Sequence, residues 1–206
     1  MSDGYAPARL AYRELRSAIG PWAKASGYRR WPGTQAGWQK PVAGGQDLLF
    51  KFEGSSFASP DMGNDLDGLI QLEPSGSRGS SILRQSGFSR CLVQAELDEL
   101  ARIQGAINRR RPPLPSDLKK EYAEDSLLGH GLRELYERAP QYREGHMLSL
   151  NYYCLQDVRK LATFVVGVLP RALDRFLEGR IASPVERTPA HLWPKWSTNL
   201  RKPGSE

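Results

Sequence analysis

Three observations in this chain predict an α+β domain, with a mainly antiparallel four-stranded sheet packed against two long helices and a helical insertion between strands 3 and 4. The first is a strand that runs straight into a helix over residues 146–179. Leu148, Leu150 and Tyr152 alternate with Ser149, Asn151 and Tyr153, the period of two that gives a strand one apolar face. Val158, Leu161, Val165, Val168, Leu169, Ala172, Leu173 and Phe176 then recur at three- and four-residue spacing, one side of a helix about six turns long. The second observation is a pair of earlier alternating runs around Phe50 and Ile70, and the third is an amphipathic helix at the start of the chain. An apolar helix side must be covered, and a sheet that includes the preceding strand is the natural cover.

In chain order, Leu10, Leu15, Ala18, Ile19, Trp22 and Ala25 mark the first helix, over residues 7–26, with Pro7 suited to its first turn. Pro21 after Gly20 removes a backbone hydrogen bond, so the helix is expected to kink or to divide there. Gly27 followed by Tyr28 fits a left-handed C-terminal cap, with the aromatic ring folding back on the last turn.

Three strands follow. The first, over 35–40, carries Trp38 and is ended by Pro41 and by Gly44 and Gly45. The second, 48–53, sets Leu48, Phe50 and Phe52 against Leu49, Lys51 and Glu53. The third, 66–73, sets Leu66, Ile70 and Leu72 against Asp67, Gln71 and Glu73. Such alternation suits an antiparallel sheet with one wetter face. Between the last two strands lies GSSFASPDMGND, a long loop of small residues and a candidate functional rim that includes Phe57 and Asp61.

PSGSRGSS, 74–81, is the most flexible internal stretch by composition. Val93, Leu97, Leu100 and Ile107 then give a helix ending in Arg109, Arg110 and Arg111, cations that favour the carbonyl end, and Pro112 and Pro113 stop it. Ser116 caps a further helical run with Leu118 and Tyr122 inward; Gly129 and Gly131 around His130 break it, and Leu132, Leu135 and Tyr136 resume it as far as Pro140. In the last helix Gly167 and Pro170 predict a bend. The resulting organisation is one domain over 1–180, its helical insertion at about 82–140, and a C-terminal arm over 181–206 with four prolines and the anchors Trp193 and Trp196.

Composition bounds the function. A chain of 206 residues, 39% hydrophobic and 25% charged, can bury a core without disulfide or metal support. The longest apolar run, 161–169, is too short to span a bilayer, and the N-terminus lacks a signal-peptide pattern. Cys91 and Cys154 provide neither a disulfide framework nor a zinc spacing, so a cytoplasmic protein is expected. The net charge of +6 is uneven: residues 1–75 hold eight basic and eight acidic side chains, and 76–206 hold 21 and 15. That excess permits contact with nucleic acid or another polyanion.

The order of parts carries a resemblance. A helix with an internal proline, then Gly27, Tyr28, Arg29 and Arg30, an aromatic-led strand, an FKF strand and, late in the chain, a strand entering L-x-D-V and a long apolar helix together resemble a bacterial domain-of-unknown-function family, number 4304. The resemblance covers about 8–73 and 146–178. It implies a sheet packed on helices and brings no catalytic residues to this chain. The family pattern has Ser or Thr just before the last helix where this chain has Cys154, and a shorter tail, so 180–206 takes no meaning from it.

Each chemical constellation has a plainer reading beside it. Asp61, Asp65 and Asp67 superficially resemble a calcium loop, but the twelfth ligand position is Pro74 where a bidentate Glu is needed, and a turn entering a strand is the better reading. Gly76, Arg78, Gly79, Ser80 and Ser81 could cradle an anion, yet no P-loop lysine follows, and a linker is preferred. His130 and His146 have no nucleophile or carboxylate at a spacing that secondary structure would align, so no triad is expected. Cys154 at a helix start could be an activated thiol and is read instead as a small buried cap. Arg109, Arg110 and Arg111 with Lys119 and Lys120 form the best basic cluster, but lack the aromatic companions of a nucleic-acid site and are read as a solvated helix end.

These readings lead to a non-enzymatic protein-binding module, with no cofactor and no metal, in the form of an accessory or immunity-type protein that masks a partner. Trp193, Trp196, Phe57 and Asp61 are its candidate contact residues, with the wetter sheet face beside them. The alternative is a nucleic-acid-binding module that uses the basic surface of 76–206, through Arg109, Arg110, Arg111, Lys119 and Lys120. An enzyme of a kind not evident from motifs is third.

Overall fold

Alternation in the middle of the chain builds the sheet as expected, and the strand count differs. The computed structural model describes residues 4–54, 63–77, 81–111 and 137–184. In chain order the elements are α1 (Ala8–Ala25), β1 (Arg29–Arg30), β2 (Ala36–Val42), β3 (Gln46–Gly54), β4 (Leu66–Pro74), β5 (Arg84–Gly87), a 3-10 turn (Phe88–Cys91), α2 (Gln94–Arg110) and α3 (Leu155–Leu177). The five strands form one antiparallel sheet in the order β1-β2-β3-β4-β5.

Leu48 faces Leu72, Phe50 faces Ile70, and Trp38 faces Phe50 across the ladder, where the two rings stack with centroids 5.1 Å apart. This face is buried against α1, through Ala11, Leu15, Ile19 and Ala23, and against the apolar side of α3. Leu150, Val158, Leu161, Val165 and Phe50 all lie in that single core, as the periodicity predicts.

The end of α1 follows its sequence closely. Gly27 takes a φ of 80°, which an L side chain rarely adopts, and its N–H donates to the Lys24 carbonyl while that of Tyr28 donates to Ala23. These two bonds satisfy carbonyls left open at the helix end. The Tyr28 ring is thereby set between Trp22 and Phe50, with centroids 5.6 Å and 5.2 Å away. Pro21 does not divide α1, and α3 likewise runs as one element through Pro170.

The expected fourth strand, 148–153, is where the four-strand reading needs correcting. It pairs with the start of β4 through Leu150 and Leu66, whose amides bond each other's carbonyls at 2.9 Å and 3.1 Å, and through the Asn64–Tyr152 bridge. Side chains complete the rest of its bonding. Ser89 Oγ donates to the His146 carbonyl and accepts from the Leu148 amide, while the buried Gln104 side chain accepts from the Asn151 amide and donates to its carbonyl. An extended segment held by amide and hydroxyl side chains lacks the continuous ladder of a strand. Further along the same edge of β4, β5 takes over, with Leu69 opposite Gly87 and Leu72 opposite Arg84. Its sequence, RQSG, has no apolar alternation to announce it. β1 is two residues long and equally silent. The insertion is helical where α2 stands, and residues 112–136 lie outside the described set.

α2 and α3 run antiparallel, and each start is tied to the other's end. Glu96, third residue of α2, accepts from the Val93 amide at its own helix start and from Arg171 and Arg175 near the end of α3. Asp157, third residue of α3, accepts from the Tyr153 and Cys154 amides and from Arg110 at the end of α2. Among the described residues no helix is long and apolar enough to cross a membrane.

Candidate functional site

The outward stripe of α2 supplies one wall of the most distinctive surface feature. Leu97, Leu100, Gln104 and Ile107 turn inward, so helical spacing brings Gln94, Asp98, Arg102, Gly105 and Arg109 out along one stripe. Residues 138–144, RAPQYRE, run beside this stripe as the second wall. They approach most closely at Gly105, where a Cβ would stand 2.6 Å from the Arg138 carbonyl oxygen and 3.2 Å from Pro140 Cδ. Only glycine allows that contact.

The wall is fastened at both ends. At the α2 C-terminus, Asn108 Nδ2 donates to the Glu137 carbonyl and Arg109 Nη1 to the Arg138 carbonyl, both at 2.8 Å. At the α2 N-terminus, Gln94 Nε2 donates to the Tyr142 carbonyl at 2.8 Å, and the Gln94 amide donates to Glu144 Oε1 at 3.0 Å. The carboxylate of Glu144 thus caps an open N–H at the positive end of the helix. Between the fastenings lies a groove of about 890 Å³.

Its charges are unequal in availability. Both acids are engaged with Gln94: Glu144 through the backbone amide, and Asp98 Oδ1 through Gln94 Nε2 at 2.7 Å. Arg102, Arg109, Arg138 and Arg143 are exposed along the groove. Among the described residues no carboxylate stands in ion-pair contact with Arg102, Arg138 or Arg143. Each guanidinium is a planar fork of donors, the group whose geometry matches carboxylate and phosphate oxygens.

The three consecutive arginines expected as a basic cluster diverge. Arg109 faces the groove. Arg110 turns to α3 and reaches Asp157 Oδ1 at 2.5 Å and Gln156 Oε1 at 3.3 Å. Arg111 is 6% exposed and packs over Gly63, where a Cβ would come within 2.5 Å of its Nη1. Lys119, Lys120, His130, Phe57, Asp61, Trp193 and Trp196 lie outside the described residues.

The remaining candidates hold structural posts. His146 Nδ1 accepts from the Arg143 amide at 3.2 Å. Cys154 is buried at the N-cap of α3, as the plainer reading has it, and Asp157 supplies the capping bond to its amide. Asp67 Oδ1 accepts from Ser149 Oγ at 2.6 Å, which ties the start of β4 to the 148–152 segment. Among the described residues no three His, Cys, Asp or Glu side chains are grouped to hold a metal. The sheet face expected to be wetter carries the cross-strand row Gln39, Leu49, Gln71 and Gln85, yet Leu49 is 1% exposed and Gln71 is also buried. That face is mixed: Leu49 and Gln71 are buried, Gln39, Lys51 and Glu53 are half-buried, and Asp67 and Gln85 are exposed.

Sequence reasoning missed Arg102, Arg138 and Arg143. The spacing of Asp98, Arg102, Gly105 and Arg109 held part of the signal, since it marks one helix stripe; nothing local could place 138–144 against it. Compared with protein-family models, curated proteins and solved structures, the chain matches none.

Proposed function

We propose that this chain is a non-catalytic protein-binding module that captures an acidic segment of a partner in the arginine-lined groove. One observation carries the reading: among the described residues the groove exposes four arginines against two carboxylates, and both carboxylates accept hydrogen bonds from Gln94. Its local field is positive, and a partner carboxylate meeting a guanidinium there forms a charge-assisted, two-pronged bond. Masking of a partner, as immunity-type proteins do, is one form this binding takes.

Nucleic acid is the second reading, favoured by the same charge. Single-stranded nucleic acid calls for aromatic platforms on which bases stack. Among the described residues Tyr142 is the groove's one aromatic, and it is half-buried. An acidic peptide needs no such platform, which is why we place it first.

The test is fluorescence anisotropy of the full chain with a labelled Glu/Asp-rich peptide and, separately, a labelled oligothymidine, at about 50 and 200 mM salt. Peptide binding that is abolished by R138E/R143E, with weaker oligonucleotide binding, is the expected result. Tighter oligonucleotide binding with a steep salt slope would move the assignment to nucleic acid.

A further inference from the structure

We infer that the cleft between α2 and α3, on the other flank of α2, is a docking groove for an acidic amphipathic helix. It is a separate site of about 450 Å³ that shares Arg102 with the arginine-lined groove. Its floor is apolar, from Ile103 and Ala106 of α2 and Phe164 and Val168 of α3. Among the described residues its rim is cationic, with Arg102, Lys160 and Arg171 against one acid, Glu99. No ion-pair partner touches Arg102 or Lys160 among the described residues, and Arg171 remains 58% exposed although its Nε donates to Glu96.

The two helices run antiparallel, and a groove between neighbouring helices is the kind of seat into which a third helix packs. From Lys160 to Arg171 the trough follows α3 for about 16 Å, or about three helical turns. Apolar anchors spaced at i, i+3 or i+4, and i+7 on one face of an incoming helix match that length. Acidic residues flanking the anchors match the rim.

Gly167 adds an independent indication. It sits mid-helix on the exposed side, where glycine is the poorest helix former short of proline. At Gly105 an internal contact demands glycine, whereas a Cβ at Gly167 would meet no atom within 4 Å. No contact inside this chain requires glycine at 167, as none does at Gly20 of α1; what Gly167 adds is an open, side-chain-free strip of helix surface that a docked helix can approach closely.

The test uses the full chain and a synthetic peptide of about 18 residues with leucine on one helical stripe and glutamate elsewhere, read by anisotropy and helical circular dichroism. Its controls are a scrambled peptide of the same composition and one with lysine in place of glutamate. The acidic amphipathic peptide should bind, and both controls should bind at least about tenfold more weakly. Gly167→Met and Lys160→Glu should each weaken binding by about tenfold. Gly167→Met should do so with a melting temperature at or above that of the unaltered chain, which separates a filled groove from a damaged fold. R138E/R143E should leave this binding within about twofold, so failure here is distinct from failure of the arginine-lined groove. Equal binding of the scrambled peptide, no effect of Gly167→Met, no binding of the acidic peptide, or a dimer of this chain that Gly167→Met abolishes would each overturn the assignment.

Discussion

The two ends of the α2–α3 pair use one device with different reinforcement. At both, a buried carboxylate at the third position of a helix caps its own helix start and meets an arginine near the end of the antiparallel neighbour. At the Glu96 end the partners are two arginines; Arg175, 13% exposed, makes a forked contact and also donates to the Cys91 carbonyl. At the Asp157 end there is one arginine, 41% exposed, and two backbone amides share the carboxylate. The difference teaches where the stability of the pair is concentrated. An ion pair with both partners withdrawn from water is costly to break, because the survivor is left with uncompensated charge; a pair with one wet partner lets water take over.

Breaking the stronger end gives the largest expected effect. Glu96→Ala removes the cap and leaves Arg175 unpaired, and should cost about 3–5 kcal/mol in urea unfolding. Its pH signature is specific. Burial pushes the Glu96 carboxyl up, but Arg175, the Val93 amide and Arg171 together outweigh burial and hold it below the ordinary glutamate range. A depressed folded-state value means that the stabilisation is complete above the ordinary range and is lost as pH falls through the depressed one. Glu96→Gln should therefore flatten the acid limb of the stability curve in that window, and an unchanged limb would contradict the assignment.

One turn along α3 from Asp157, Leu161 is fully buried, and Leu161→Ala should cost about 2–5 kcal/mol whatever the state of the Glu96 end. Additivity with Glu96→Ala in the double variant checks that the core and the ion cluster act separately. Arg110→Ala should cost less, about 1–3 kcal/mol, since two amides and the helix start still hold Asp157. A loss as large as that of Glu96→Ala would erase the distinction between the ends. Arg171→Ala, at a mostly exposed partner, should shift stability by only about 0–1 kcal/mol.

Much of the fold was legible because it is written in local periods. The alternation around Phe50 and Ile70, the heptad-like spacing from Val158 to Phe176 and the Gly27–Tyr28 cap are short-range patterns whose geometry follows from backbone stereochemistry. β5 and the loss of ladder at 148–152 were not legible. β5 has no apolar face, and the 148–152 segment alternates like a strand while its outer edge is completed by Gln104, 47 residues away from Asn151 in the chain. The candidate site was less legible still. The arginines at 109, 110 and 111 read as one basic run, yet Arg109 and Arg110 point about 100° apart on α2 and Arg111 leaves the helix with extended backbone, so the fold sends one to a groove, one to an ion pair and one to the interior.

By itself, then, the sequence determined an α+β chain with a mainly antiparallel sheet, two long helices packed on its apolar face and an excess of positive charge after residue 75. Only tertiary structure decided which charges remain available. Glu96 and Arg175 are 79 residues apart, and Gln94 reaches Glu144 across 50. The first pairs opposite charges and the second engages a carboxylate with a neutral amide, so groups that look equivalent to their neighbours in the chain end up differently occupied. Electrostatic attraction at a few ångströms in a partly dry site depends on distance and burial, and neither quantity exists until the helices have packed.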